Sequence, residues 1–274
     1  VTELYCHFST TEKGINMTRI ITVGNGKGGV TKTTTAVNLS YELSKKKKRT
    51  LIIDFDGQGD TTKFYLEDET PHYLGDVLLD RKFDINQAIY PALVNGEIQE
   101  NLFIIPARFD DAMTKLDMDL FSAPKREERL KLQLQKISEP FDFVVIDTQP
   151  GTSVLGLNAI NAATEFIFPT DYSEHSIDGI EKLLTHIQDV LFIEEDEINY
   201  TVLPVKIDNR KKSKNEYGES YTQERWPDKV AKTKIMDRTV FDDAEREHLP
   251  LSVFKKGHTA ARYYNNLAAE IIND

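Results

Sequence analysis

Short apolar runs recur along this chain: Ile20-Ile21-Thr22-Val23, Leu51-Ile52-Ile53, Leu102-Phe103-Ile104-Ile105, Phe143-Val144-Val145-Ile146, Phe166-Ile167-Phe168-Pro169 and Val202-Leu203-Pro204-Val205. Continuous rather than alternating runs of this length mark strands buried on both faces, as in a parallel sheet. Between them lie stretches with helical spacing, such as Ala36-Val37, Leu39 and Leu43, or Leu130, Leu134 and Ile137, with Pro124 read as lying in the first turn of the latter helix. A further helix is expected between Asp171 and Asp189, and short helical stretches around Leu74-Leu79 and Ile85-Ile89. Strands and helices in alternation predict an α/β fold with a mostly parallel central sheet flanked by helices.

The strand ends carry the chemistry. After Val23 comes Gly26-Lys27-Gly28-Gly29-Val30-Thr31-Lys32-Thr33-Thr34, and a helical pattern opens directly behind it. Strand, glycine turn and helix start together make a P-loop, in which backbone N–H groups and the helix N-terminus meet phosphate oxygens. Lys32 is placed to reach the β- and γ-phosphates and the Thr33 hydroxyl to ligate Mg²⁺. Thr31 stands where glycine is usual, and a β-branched residue disfavours a positive φ. Asp54 and Asp56 close the second apolar run and Asp147 the fourth. Carboxylates at the C-terminal edge of a parallel sheet sit beside the phosphate loop, where a metal or an attacking water is held.

These residues resemble the deviant-P-loop ATPases of the ParA/MinD type, whose mark is an extra lysine early in the loop, here Lys27. The resemblance runs from about Arg19 onward. It implies an ATP-dependent homodimer in which Lys27 crosses to the partner's ATP while Lys32 serves its own, with ATP and Mg²⁺ as cofactors. Asp54-Phe55-Asp56-Gly57-Gln58-Gly59-Asp60 resembles the family's second motif: Asp54 then organises the Mg²⁺ shell with Thr33 and Asp147, and Asp56 positions the hydrolytic water. Gly57 replaces the usual proline, which implies a looser switch loop, and Gln149 does so in Asp147-Thr148-Gln149-Pro150-Gly151. Pro169, Ser176 and Gly179-Ile180 match the family's stretch after its fourth core strand, and the run from Arg238 past Leu249 its last nucleotide-proximal loop and helix. Asp208 and Asn209 fall where the family contacts the base, a polar turn being the plainer reading.

Composition and charge narrow the function. The chain has 274 residues, 39% apolar and 29% charged, with a net charge of −11. Residues 17–274 are expected to form a single ATPase domain. No apolar run approaches the roughly 20 residues needed to cross a bilayer, and a cytoplasmic protein is expected. Cys6 alone allows neither an internal disulfide nor a cysteine-based cluster, which excludes the family's iron–sulfur branch. The six histidines show no metal spacing. Residues 1–16 carry no helical or strand period, so Met17 is expected as the true start and the stretch before it as a disordered or mis-assigned extension.

From Thr201 to Arg262 there are 14 Lys and Arg against 10 Asp and Glu. The densest part is read as a basic loop, Arg210-Lys211-Lys212-Ser213-Lys214, followed by Arg238. Cations on one face suffice for sequence-independent DNA contact through phosphates, and solvated surface is the alternative. Trp226 reads as packing. Together with the resemblance this implies a plasmid or chromosome partition ATPase of the short type, nucleoid-associated, binding non-specific DNA in its ATP state and released when a centromere-binding ParB-like partner stimulates hydrolysis. The rival readings are a MinD-like positioning ATPase on a membrane or protein scaffold, a nucleotide-binding module that has lost hydrolysis, and a small-molecule kinase. The final residues, Arg262 to Asp274, lack the lysines of a membrane-binding amphipathic helix.

Overall fold

In the computed structural model the described residues are 17–109, 111–149 and 153–273. The expected extension at residues 1–16 lies outside them. β1 (Arg19–Val23) is followed by α1 (Lys32–Lys45), β2 (Thr50–Phe55), α2 (Asp60–Tyr65), α3 (Leu74–Leu79) and a 3-10 turn at Ile85–Ala88. Then come β3 (Tyr90–Val94), β4 (Glu97–Ile105), α4 (Ala112–Phe121), α5 (Arg129–Leu134), β5 (Phe143–Thr148), α6 (Val154–Ala162) and β6 (Glu165–Thr170). α7 (Glu174–Leu191), a 3-10 turn at Glu195–Glu197, β7 (Tyr200–Pro204), α8 (Lys212–Arg225), α9 (Thr239–Arg246), α10 (Leu251–Phe254) and α11 (Ala261–Asn273) follow among the described residues.

The strands form one seven-stranded sheet in the order β3-β4-β2-β5-β1-β6-β7, parallel throughout except for the β3–β4 pair. Successive side chains of a strand point to opposite faces, so each apolar run feeds two cores. Ile21, Ile52 and Val145 pack with Leu39, Leu43, Leu267 and Ile271 under α1 and α11. Ile20, Leu51, Ile53, Val144 and Ile146 pack on the other face with Val77, Leu116, Leu130 and Leu155. A third cluster joins Phe168, Ile180, Leu184, Tyr200 and Val202 with Trp226, which is buried as packing. Beyond β7 the chain runs alongside it: Val202 N–H donates to Lys229 C=O (2.8 Å), Ala231 N–H to Val202 C=O (2.9 Å) and Ile235 N–H to Pro204 C=O (2.8 Å).

Three sequence readings need correction. β3 and β4 are a hairpin, whereas only the Leu102–Ile105 end was legible as a strand. Asn95 (φ 53°) and Gly96 (φ 73°) both take positive φ, the primed turn that an Asn-Gly pair favours. α5 starts at Arg129, not at Pro124: its Leu130 N–H is received by the Asn158 side chain of α6 (3.0 Å), so a tertiary contact sets the start. The basic "loop" after Arg210 is largely the first turns of α8.

Candidate functional site

The loop between β1 and α1 is fastened from one side. Gly24 N–H donates to Ile167 C=O at 3.0 Å. The buried Asn25 amide donates to Pro169 C=O (2.7 Å) and Ser176 C=O (3.1 Å), while its Oδ1 accepts the Lys27 N–H (2.8 Å). These bonds tie the loop to β6 and α7. The contact is backbone to backbone: a Cβ on Gly26 would lie 3.2 Å from Gly179 C=O, and one on Gly179 would overlap the Asn25 side chain. At Gly28 and Gly29 a Cβ would meet nothing within 4 Å, so the loop is open where a phosphate must enter. Val30 is buried, and Lys206 reaches in to donate to Gly29 C=O (3.0 Å).

Thr31 takes φ 59° and ψ 35° at the N-cap of α1 with no side-chain capping bond, and its C=O accepts the Thr35 N–H (2.9 Å). The loop therefore keeps the left-handed turn, and a β-branched residue bears its strain. Thr34 and Lys32 are buried at the helix start. Lys32 Nζ donates to Lys27 C=O (3.3 Å). Burial pushes the ammonium's pKa down, and the charges of Asp147 and Asp56 oppose that shift.

Asp54 and Asp147 lie side by side in the β2–β5 register, both fully buried. Asp54 Oδ2 accepts from Thr62 N–H (2.8 Å) and Thr62 Oγ1 (2.6 Å), and Oδ1 from Asp56 N–H (3.0 Å). Asp147 Oδ2 accepts from Thr61 Oγ1 (2.7 Å), while its Oδ1 is buried with no hydrogen-bond partner. Burial pushes Asp54 up to about 6 and Asp147 up to about 7. The Asp54 charge adds to the rise at Asp147, and the Thr61 and Thr33 hydroxyls oppose it. The pair is short of positive charge, and the unpaired oxygen is a donor atom for a cation. Among the described residues no three His, Cys, Asp or Glu side chains gather into a metal cage. A cation here takes its other ligands from water or phosphate, the habit of Mg²⁺. Asp56, half-buried just past the strand, accepts the Gln58 N–H (3.0 Å).

Lys27 does not point away from its own chain. Its Nζ lies 3.3 Å from both carboxylate oxygens of Asp171 and 2.9 Å from Ser173 Oγ. The cations expected to meet DNA divide into two sets. Lys211, Lys212 and Arg238 are exposed, whereas Lys214 pairs with Asp171 (3.2 Å). Arg210 is 88% exposed but forks onto Asp208, holding that carboxyl down at about 2 through hydrogen bonds to its oxygens. Asn209, next to it, is exposed. Asp171, Ser173, Thr61, Thr62 and Lys206 escaped the sequence reading. A polar residue directly behind a strand, as Asp171 is behind β6, was the available signal.

Residues 18–202 match the AAA domain family. Over 255 residues the chain is 32% identical to the chromosome-partitioning ATPase Soj of Treponema pallidum (strain Nichols), covering 90% of this chain and 94% of that protein. It is 29% identical over 265 residues to the sporulation initiation inhibitor protein Soj of Bacillus subtilis (strain 168), covering 93% and 98%. The crystal structure of cobyrinic acid a,c-diamide synthase from Mycobacterium smegmatis with bound ATP analog and magnesium superimposes with a TM-score of 0.76 at 25% identity, covering 94% of this chain and 95% of that one.

Proposed function

Because this chain belongs to the AAA domain family and, within it, to the ParA/Soj-type partition ATPases, we propose that it is a dimerising ATPase that positions DNA cargo, holding non-specific DNA in its ATP state and letting go when a ParB-like partner stimulates hydrolysis. The observation that carries the nucleotide part of this reading is the buried, unpartnered oxygen of Asp147, whose carboxylate lies close enough to Lys32 and Thr33, at the start of α1, to act on both. Such an oxygen costs free energy until a cation meets it.

ATP and Mg²⁺ fit the residues present. Gly26 to Thr34 wrap the phosphates, with Lys32 supplying charge at the β- and γ-positions. Thr33, Asp54 and Asp147 hold Mg²⁺ directly or through water, and Asn209 and Asp208 flank the base. Bound Mg²⁺ supplies charge neutralisation on the phosphate oxygens. Asp56 orients water, and burial around Lys32 makes its charge act in a low dielectric. Lys27 crosses to the nucleotide of a second copy. The exposed Lys211, Lys212 and Arg238, with the outer N–H groups of Arg210, meet DNA phosphates, whereas Lys214 is engaged with Asp171.

A membrane role is the weaker reading on a specific ground. The apolar face of α11, with Tyr264, Leu267, Ala268 and Ile271, is buried on the sheet and α1, so it is already covered and has nothing to give a bilayer. Among the described residues no helix is long and apolar enough to cross a membrane.

The test is binding to random-sequence duplex DNA with ATP, with ADP and without nucleotide, at two salt concentrations. ATP-selective binding that weakens with salt is expected, and Lys32→Ala should abolish it by removing nucleotide. A chain that holds ATP yet ignores DNA in every state sinks the DNA reading and leaves a protein-scaffold role.

A further inference from the structure

Asp171 is shared by two cations that come from different parts of the chain. Lys27 arrives from the phosphate loop and Lys214 from α8, at 3.3 Å and 3.2 Å. The carboxylate is also fixed from its own loop: Ser173 Oγ donates to Oδ1 at 2.6 Å, and the Ser173 N–H lies 3.3 Å away. Ser173 is itself the N-cap of α7, its Oγ accepting the Ser176 N–H (3.3 Å).

The surroundings are built to hold this arrangement. Gly26 and Gly179 bring the phosphate loop against α7. Tyr172 takes φ 60° and is buried, and Gly218 of α8 sits so close to it that a Cβ there would overlap the ring. Lys214 lies one helical turn before Gly218, which brings it to Asp171. Burial works against the charge on Asp171. Hydrogen bonds from Ser173 and Ser176 and the charges of Lys214 and Lys27 outweigh that and hold the carboxyl far below the usual range.

We propose that Asp171 is a positioning residue for Lys27, an internal latch that holds its ammonium in cis in the lone chain, and that Lys214 is the counter-charge that remains with Asp171 when Lys27 leaves for a second copy. The inference rests on the dimer reading given above. Removing one partner of a partly buried ion pair is costly because it strands the other charge. Here the departure of Lys27 strands nothing, since Lys214 still neutralises the carboxylate. Without Lys214, Asp171 would hold Lys27 harder. Without Asp171, the two lysines would repel each other and Lys27 would be released.

Two measurements test this. The first is the rate of Lys27 acetylation by acetic anhydride in the nucleotide-free chain, read by mass spectrometry against Lys63 as internal reference. Asp171→Asn should raise it by about threefold to tenfold, the range set by a half-buried ion pair, Asp171→Glu should restore it, and Lys214→Ala should lower it. The second is the dimer dissociation constant by sedimentation with a non-hydrolysable ATP analogue and Mg²⁺. Asp171→Asn should tighten it by a similar factor and Lys214→Ala should weaken it. Asp171→Glu should restore the wild-type constant, and opposite shifts in Asp171→Asn and Lys214→Ala are what a merely structural role would not produce. Unchanged Lys27 labelling in Asp171→Asn, or faster labelling in Lys214→Ala, overturns the latch. A wild-type chain that binds the analogue and stays monomeric sinks the dimer reading instead, and the labelling still decides the latch. If Asp171→Asn does not fold, the opposite shift expected of Lys214→Ala keeps the test open to refutation.

Discussion

Replacing Thr31 by glycine should make the protein more stable. Thr31 holds φ 59° and ψ 35°, and its hydroxyl is buried without a hydrogen-bond partner. The left-handed conformation costs an L-residue about 1–2 kcal/mol, and an unpaired buried hydroxyl about 1 kcal/mol. Against this, glycine loses about 0.5–1 kcal/mol more conformational entropy on folding, and deleting Cβ and the methyl of this half-buried side chain forfeits about 0.8 kcal/mol of burial. The balance is a gain of about 1 kcal/mol, a rise in Tm of about 2–4 °C for a chain of this size. The assay is urea unfolding of the nucleotide-free protein, read as a shift in midpoint at constant m. Thr31→Ala separates the causes: it removes the hydroxyl but keeps a Cβ at positive φ, and should stay within about 0.5 kcal/mol of wild type. A glycine variant no more stable than wild type, or an alanine variant that gains as much, refutes backbone strain as the explanation.

Gly179→Ala should cost about 1–3 kcal/mol and weaken ATP binding, because its methyl meets Asn25 and lies 3.1 Å from the Lys27 nitrogen; calorimetric titration with ATP checks it, and unchanged affinity counts against α7 as the wall of the loop. Asp54 and Asp147 are raised to about 6 and about 7, so the folded chain keeps protons that an unfolded carboxylate of pKa about 4 has released. Metal-free stability should therefore fall as pH rises from about 4 to about 7, and Asp147→Asn should flatten the slope of urea midpoints over that window. Binding of Mg²⁺ with nucleotide at pH 6.5 should release protons, seen as a heat that depends on the buffer's ionisation enthalpy. Arg225 bridges Glu181 and Glu195 at 2.7–3.0 Å, and Arg225→Ala should lower stability by about 1–2 kcal/mol, read as a shift in the urea midpoint, while leaving ATP affinity unchanged.

What was legible in the sequence was whatever depends on neighbours in the chain. β1, β2 and β5 announced themselves as unbroken apolar runs, and the chemistry sits where such runs end, at Gly26, Asp54 and Asp147. The β3–β4 hairpin carried its sign in Asn95-Gly96, but β3 is a short edge strand, only partly buried and interrupted by Pro91, and the first half of β4, Glu97 to Asn101, is largely polar, so neither read as an apolar run. α4 buries just Met113, Leu116 and Leu120 among charged residues. α8 buries only Gly218 and Thr222, so no apolar stripe betrayed it and its lysines looked like a loop. The position of Lys27 was beyond reach for a different reason: its partner Asp171 lies 144 residues away, and only the closing of the sheet brings them together.

The two flanks of the sheet bear on how copies of this chain can meet. On one side β3 is five residues long, contains Pro91, and has an irregular register between Pro91 and Leu93. On the other, the segment around Lys229–Ile235 takes up main-chain bonds of β7. A free strand margin is the usual template for adding strands from another molecule, and it is blunted here by a proline and by the chain's own backbone. Self-association through a growing cross-molecule sheet is thus disfavoured, and the proposed dimer would have to form through side chains and nucleotide. Contacts of that kind come apart when the ligand changes, which is what the cycle of binding and release proposed above requires.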